Sequence, residues 1–318
     1  MSLKETFHLF FIGLGTIFFW LFWNITKLNG LGTQNIIKGY VYLAAIFFVF
    51  LVYHPHFIHT YKECYFRGRK YVSKNFNILI ALPIVLIMLF TFLILDTFFL
   101  NRLSPLSLEV SLYFTAILIA WHFSCQTVST IIHFSKNMII VKKKICILFF
   151  LTFILGLVSS ISHFGNYPFY KLPTHSLNIN PDIIFYSRIL FLSLHFIFIG
   201  VYHKNISYKS FIPWVAFLVW TLTPTFTEEF FYLVPLFHSL EASYFYLKRH
   251  TVKKGFFDYI KLLFISVIIF GFLLNIVANL EFEYNNNSLV FSKLFIGFLL
   301  IVNIHHALAE RLTWQRHP

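Results

Sequence analysis

The chain has 318 residues, of which 58% are hydrophobic, 21% aromatic and only 12% charged. A soluble domain carries about 25% charged residues, so this composition argues against a soluble fold and for an all-α, polytopic transmembrane helix bundle. The formal charge of +13 is therefore read through its placement in short loops, which reports membrane orientation, and no nucleic-acid partner is expected.

Ten spans are predicted, at approximately 8 to 24, 37 to 53, 76 to 100, 109 to 133, 145 to 163, 185 to 203, 211 to 224, 228 to 247, 258 to 280 and 289 to 310; the count falls between about eight and ten, most being near the roughly 20 residues a bilayer requires. The whole of 1–318 reads as a single integral-membrane helical domain without internal repeats. The first apolar stretch follows a lysine but shows no small-residue cleavage site, so it is expected to be a retained helix. The seventh span is short and runs into Thr223-Pro224-Thr225, where proline lacks a donor and disfavours helix before it. Spans seven and eight are therefore either two crossings or one broken helix.

Loop charge orients the list. Lys62, Arg67, Arg69, Lys70 and Lys74 follow span two, and Lys136, Lys142, Lys143 and Lys144 follow span four. Both loops belong on the cytoplasmic side. With Lys248, Arg249, Lys253 and Lys254 there too, both termini fall in the cytoplasm. The expected location is a bacterial inner membrane, crossed many times. Three cysteines, Cys64, Cys125 and Cys146, are too few and too scattered for a disulfide framework or a four-thiolate site.

Fifteen histidines are many for such a chain, and ionisable groups within spans are functional candidates. His54, His56 and His59 sit at the cytoplasmic end of span two. His122, Gln126 and His133, at spacings of four and seven, share one face of span four. Span six brings His195 and His203, span eight His238 with Glu241 one turn on, and span ten His305 and His306 with Glu310. Five helices thus carry imidazoles to the inner half of the bilayer or its rim. Imidazole with carboxylate suits iron, zinc or copper, and two histidines with one carboxylate typify non-haem iron oxygenases. Helix bundles build such sites from facing helices. For any single histidine the plain alternative is a helix–helix hydrogen bond or an interfacial anchor. Glu228 and Glu229 read either as a solvated helix start or as a cation site. No HExxH, GxSxG, Walker or GxGxxG pattern is present.

Several stretches together carry a resemblance. Trp121-His122-Phe-Ser-Cys-Gln126 resembles a WHYxKQ motif, Phe237-His238-Ser-Leu-Glu241 resembles FHxxQY, and His305-His306 through Trp314 resembles HHYxxDxxxW. With His54 to Tyr61 they are similar to a group of uncharacterised bacterial polytopic membrane proteins. That group more distantly resembles the Brp/Blh family of membrane carotenoid-cleaving dioxygenases, in which histidines from several helices hold iron. The resemblance implies metal roles for His122, His238, His305 and His306, to which the span reading adds His54 and His195. It implies roles for Gln126 and Glu310, which together with Glu241 are the catalytic candidates, and makes His54, His56 and His59 secondary candidates. Three positions depart from the motifs: Cys125 for lysine, Glu241 for glutamine and Glu310 for aspartate. The activity expected is an iron-dependent oxygenase, hydroxylase or desaturase acting on a lipid, isoprenoid or carotenoid, with zinc, copper or haem as other occupants. Membrane lipids, a lipophilic substrate and an electron-donor protein are the expected partners. The competing reading is a transporter for an ion, metal or small lipophile, in which the histidines line a path.

Overall fold

The computed structural model describes residues 9–18, 20–21, 54–95, 105–135, 138–161, 180–222, 237–242, 244–245, 260–261, 264–265, 268 and 301–312. Among them every regular element is helical and none is a strand. In chain order they are a π-helical turn Phe10–Leu14, helices α1 (His54–Tyr65) and α2 (Arg69–Lys74), a second π-turn Asn77–Ala81, α3 (Leu82–Leu95), α4 (Pro105–Phe134), a 3-10 turn Met138–Val141, α5 (Lys142–Ile161), α6 (Pro181–Val201) and α7 (Tyr208–Leu222). Residues 237–242 and 301–312 are also helical.

Two helices are long and apolar enough to cross a bilayer, Ile117–Phe134 within α4 and Pro181–Tyr202, and Asn77–Leu89 is a shorter apolar helix. They coincide with expected spans four, six and three. At about 1.5 Å per residue the 22 residues of Pro181–Tyr202 reach about 33 Å, the thickness of a hydrocarbon core. Its start is built locally. Asn180 accepts a hydrogen bond from the Asp182 amide at 2.9 Å, Pro181 occupies the first turn where its missing donor is harmless, and Asp182 complements the helix dipole. Along α6 only Ile184 and His195 are buried, while Phe185, Ile189, Leu190, Phe196, Ile197 and Val201 are exposed. An apolar helix facing outward needs lipid or a partner. The junction between expected spans seven and eight lies outside the described residues, as do Asp96, Glu228, Glu229, His163, His175 and Trp314.

The chain divides into two compact units, the first comprising Met1–Tyr53 and Phe123–Phe257, the second His54–His122 and Asp258–Pro318. The first unit centres on α5 and α7, where Phe149, Trp214 and Phe217 are fully buried and Phe149 lies 4.4 Å from Phe217 and 5.3 Å from Trp214, ring to ring. The N-terminal π-turn packs on α7 through Gly13, whose φ of 151° favours glycine and whose added Cβ would lie 2.9 Å from Ala216 Cβ. Serines join α4 to α7. Ser207 donates to the Phe134 carbonyl at 2.7 Å and accepts from the Ser210 amide at 3.2 Å, while Ser135 donates to Ser210 at 2.9 Å. One hydroxyl thus closes the end of one helix and caps the start of the next.

In the second unit, buried Cys64, Tyr71, Leu79, Ala309 and Leu312 form the core that joins α1, α2 and residues 301–312. The Tyr71 hydroxyl donates to the Leu312 carbonyl at 3.4 Å, and the Cys64 thiol to the Ala309 carbonyl at 3.4 Å. Gly68, at φ 98°, supplies the left-handed turn between α1 and α2.

Candidate metal centre

The second unit contains the site. Pro55 lies in the first turn of α1, where proline is tolerated, and the buried positions His56, Phe57, Thr60 and Cys64 recur at helical spacing. The facing segment buries His305, His306, Ala309, Glu310 and Leu312, so that His306 and Glu310, one turn apart, present their side chains together. From α4, His122 joins them.

Three imidazoles converge on one carboxylate oxygen. Glu310 Oε2 lies 2.7 Å from His122 Nε2, 3.3 Å from His56 Nε2 and 3.3 Å from His306 Nε2. His56 and His306 place their Nε2 atoms 3.1 Å apart. The side chains of His56, His306 and Glu310 are at most 4% exposed, and that of His122 is 10% exposed. Phe57 stacks on the His306 ring at 3.7 Å and 19°, which fixes the ring plane and leaves Nε2 directed at Glu310. His306 Nδ1 has no hydrogen-bond partner among the described residues.

Protons alone do not satisfy this arrangement while Glu310 is ionised. His56 Nε2, His306 Nε2 and Glu310 Oε2 form a triangle. If both nitrogens carry hydrogen, N–H faces N–H; if one does not, its lone pair faces the carboxylate. A cation between them removes the conflict, because every atom then directs a lone pair inward. The spacing also fits. Metal bonds of about 2.0–2.2 Å in tetrahedral geometry put ligand atoms about 3.4 Å apart, against the observed 2.7–3.3 Å. The ligand atoms of His56, His306 and Glu310 all lie within 4.8 Å of one another. This buried His/Glu group is able to hold a metal ion.

His305, though adjacent to His306, points to a different neighbour. Its Nε2 donates to the Ile78 carbonyl at 3.2 Å and lies 3.4 Å from the Tyr65 hydroxyl, while Tyr61 stacks on its ring at 5.3 Å. That nitrogen therefore carries a proton and ties residues 301–312 to the π-turn Asn77–Ala81. His54 opens α1, and its side chain lies outside the described residues. His195 belongs to the first unit, where Trp214 Nε1 donates to its Nδ1 at 2.9 Å and its Nε2 meets Thr152 Oγ1 at 2.9 Å. With Nδ1 accepting, Nε2 must bear the proton, so both nitrogens are engaged and no lone pair remains for a metal.

His238, Glu241 and Gln126 are also in the first unit. His238 is buried and stacks on Phe123 at 3.9 Å. The Gln126 amide donates to the His238 carbonyl at 2.9 Å, and the Thr127 hydroxyl donates to Glu241 Oε2 at 3.0 Å. Residues 123, 126 and 127 form one face of α4 and 238 and 241 one face of their helix, so these contacts set a register between the two. Among the grouped residues, His56 is the one the expected metal ligands leave out, His54 having been chosen from the three histidines of this stretch. Its signal lay in the helical continuation through Pro55, which sets His56, Thr60 and Cys64 one turn apart on a buried face.

Comparison with models of protein families, with curated proteins and with solved structures finds no match to this chain.

Proposed function

We propose that this chain is a multi-pass membrane metalloenzyme, a non-haem iron oxygenase, hydroxylase or desaturase acting on a lipid, isoprenoid or carotenoid. The convergence of His56, His122 and His306 on one oxygen of Glu310 is the observation that carries it. Imidazole with carboxylate is a ligand set that suits iron, and iron, when bound, supplies the capacity to activate dioxygen. The residues of the chain do the rest. Burial of all three of His56, His306 and Glu310 keeps bulk water from the reacting atoms, and the Phe57 ring holds His306 in its plane. Trp121, beside His122, is exposed, and with Phe114 and Ile117 it forms an apolar stripe on α4. Spacings of four and seven put those three side chains on one face, along which a lipophilic molecule approaches from the bilayer.

The membrane reading is supported by the two helices long enough to cross and by the outward-facing apolar surface of α6. We place the protein in a bacterial inner membrane with both termini cytoplasmic, from the basic loops, and about ten spans follow from the sequence alone. A cytoplasmic electron-donor protein completes the scheme for a hydroxylase or desaturase. The test is to purify the full chain in detergent, measure bound metals, and follow oxygen uptake with carotenoid and isoprenoid substrates. Stoichiometric iron, with uptake abolished in His56→Ala and His306→Ala, is expected. Wild-type protein free of iron, copper and zinc after expression in supplemented medium, or undiminished uptake in both variants, overturns the proposal.

A further inference from the structure

The stretch from α1 to α3 carries a surface that the metal centre does not use. Between His54 and Asn77 the sequence has five basic residues, Lys62, Arg67, Arg69, Lys70 and Lys74, and a single acid, Glu63. Arg67 takes that acid at 2.8 Å and lies over the Tyr71 ring at 5.2 Å. Arg69, Lys70 and Lys74 are exposed and, among the described residues, form no ion pair. The turn of α2 sets their direction. Tyr71 and Val72 pack on the core formed with Ala309 and Leu312, and a helical advance of about 100° per residue then turns 69, 70 and 74 outward together. Aromatic rings flank this cationic face, for Phe66 is 86% exposed and Phe76 52%. Directly after Phe76 the chain enters the apolar helix Asn77–Leu89, on which Ile84, Val85, Ile87, Met88 and Leu89 are exposed.

We propose, on the membrane reading above, that the outward face of α2 binds anionic phospholipids of the adjoining leaflet. Arg69, Lys70 and Lys74 pair with their phosphates, and Phe66 and Phe76 sit at the acyl boundary. Charge fixes the sign of the occupant. Clustered lysine and arginine beside a membrane helix attract anionic lipid, and a guanidinium matches two phosphate oxygens. Continuity favours a lipid over an acidic protein, because the same surface runs from the cations through Phe76 into the exposed apolar side chains of α3. Cations next to aromatic and apolar groups are the composition of a membrane interface. Tyr71, on the inward side of α2, donates to the Leu312 carbonyl, so a lipid on the outward side would also steady the segment that carries His306 and Glu310.

The experiment labels delipidated full-length protein in detergent with a photoreactive phosphatidylglycerol and maps the labelled residues by mass spectrometry. Unlabelled phosphatidylglycerol, phosphatidylcholine, glycerol phosphate and polyglutamate serve as competitors. Labelling across residues 66–76 is expected, displaced by phosphatidylglycerol at least tenfold more strongly than by the other three and suppressed by salt. Combining Arg69→Gln, Lys70→Gln and Lys74→Gln should weaken it about 100-fold, on a scale of about fivefold per basic residue. Phe66→Ser should weaken it about tenfold, through lost apolar burial. If the triple variant does not fold, the wild-type competition and its salt dependence decide. Equal displacement by phosphatidylcholine, or labelling of 66–76 unchanged in the triple variant, overturns the proposal. Equal displacement by glycerol phosphate or by polyglutamate does so too, marking a free-phosphate site or a protein-docking surface instead. Carbonate washing of cell membranes tests the membrane reading separately, since wild type and triple variant should both stay in the pellet whatever the lipid competition shows.

Discussion

Replacing Glu310 by glutamine changes one atom in size and removes the only negative charge among the four converging side chains. The carboxylate oxygen that faces three Nε2 atoms at 2.7, 3.3 and 3.3 Å becomes half of an amide. Either its oxygen remains and binds a cation weakly, or its NH2 turns inward and opposes the imidazoles. A metal held at about a hundred times its Kd stabilises the folded chain by about 2.7 kcal/mol. In a chain of this length that is on the order of 5 °C in Tm. Wild-type protein dialysed against a chelator should therefore melt about 5 °C lower and recover on adding iron. Glu310→Gln should melt at one temperature with or without metal and should purify with substoichiometric iron. The chelated proteins separate the charge effect from the metal effect. If the centre holds only a proton network, glutamine breaks a buried pair, costing about 3–5 kcal/mol, and metal makes no difference to either protein. A wild-type melt indifferent to chelator and metal, or a Glu310→Gln variant with full iron content, refutes the reasoning.

Three further outcomes follow from the packing. Trp214→Phe strips the donor from His195 Nδ1 and leaves a buried acceptor unpaired, so stability should fall by about 1–3 kcal/mol in denaturant titration while metal content stays at the wild-type value. A loss of iron would instead make His195 a ligand. Gly13→Ala forces a side chain onto a backbone at φ 151° and against Ala216. It should cost about 1–3 kcal/mol, and Ala216→Gly should restore only the part due to the close contact, as read in thermal melts of the double variant. Burial pushes the Cys64 thiol from the ordinary 9.0 up to about 11, opposed by nearby Arg67 and reinforced by Glu63 and Glu310. Maleimide at pH 8 should therefore spare Cys64 in folded protein. Between pH 9 and 11 the unfolded chain releases this proton and the folded one keeps it, so Cys64 contributes stability that is full below pH 9 and lost as pH rises through 11. Cys64→Ala should flatten that alkaline fall, and mass spectrometry of the labelled peptide checks the first point.

Helix content and the apolar spans at α4 and α6 were legible because they depend on composition and local periodicity. The candidate centre was legible in part for the same reason. His306 and Glu310 are one turn apart in a single helix, and spacing alone puts them on one face. His122 enters from a segment nearly 200 residues away, marked in the sequence by its depth in span four and by a motif but not by any spacing to Glu310. What spacing does not encode is which neighbour a side chain meets. His305 and His306 are adjacent, yet one donates to the Ile78 carbonyl and the other faces Glu310, because successive helical residues diverge by about 100°. His195 was indistinguishable from a ligand until Trp214 and Thr152 were seen on its two nitrogens.

The position of Glu310 explains why a carboxylate, and not a fourth histidine, completes the group. A set of three neutral imidazoles around a divalent ion leaves two positive charges in an apolar interior, at a high desolvation cost. One carboxylate halves that charge and still offers a second oxygen for hydrogen bonding. Aspartate would keep the charge but retract the oxygen by one methylene from nitrogens that now lie at 2.7 to 3.3 Å. Glu310→Asp should thus retain metal but bind it more weakly, by roughly the 10–100-fold typical of disturbed ligand positioning. Competition with a chelator of known affinity measures the difference, and an affinity equal to wild type would show that the reach of the side chain is immaterial.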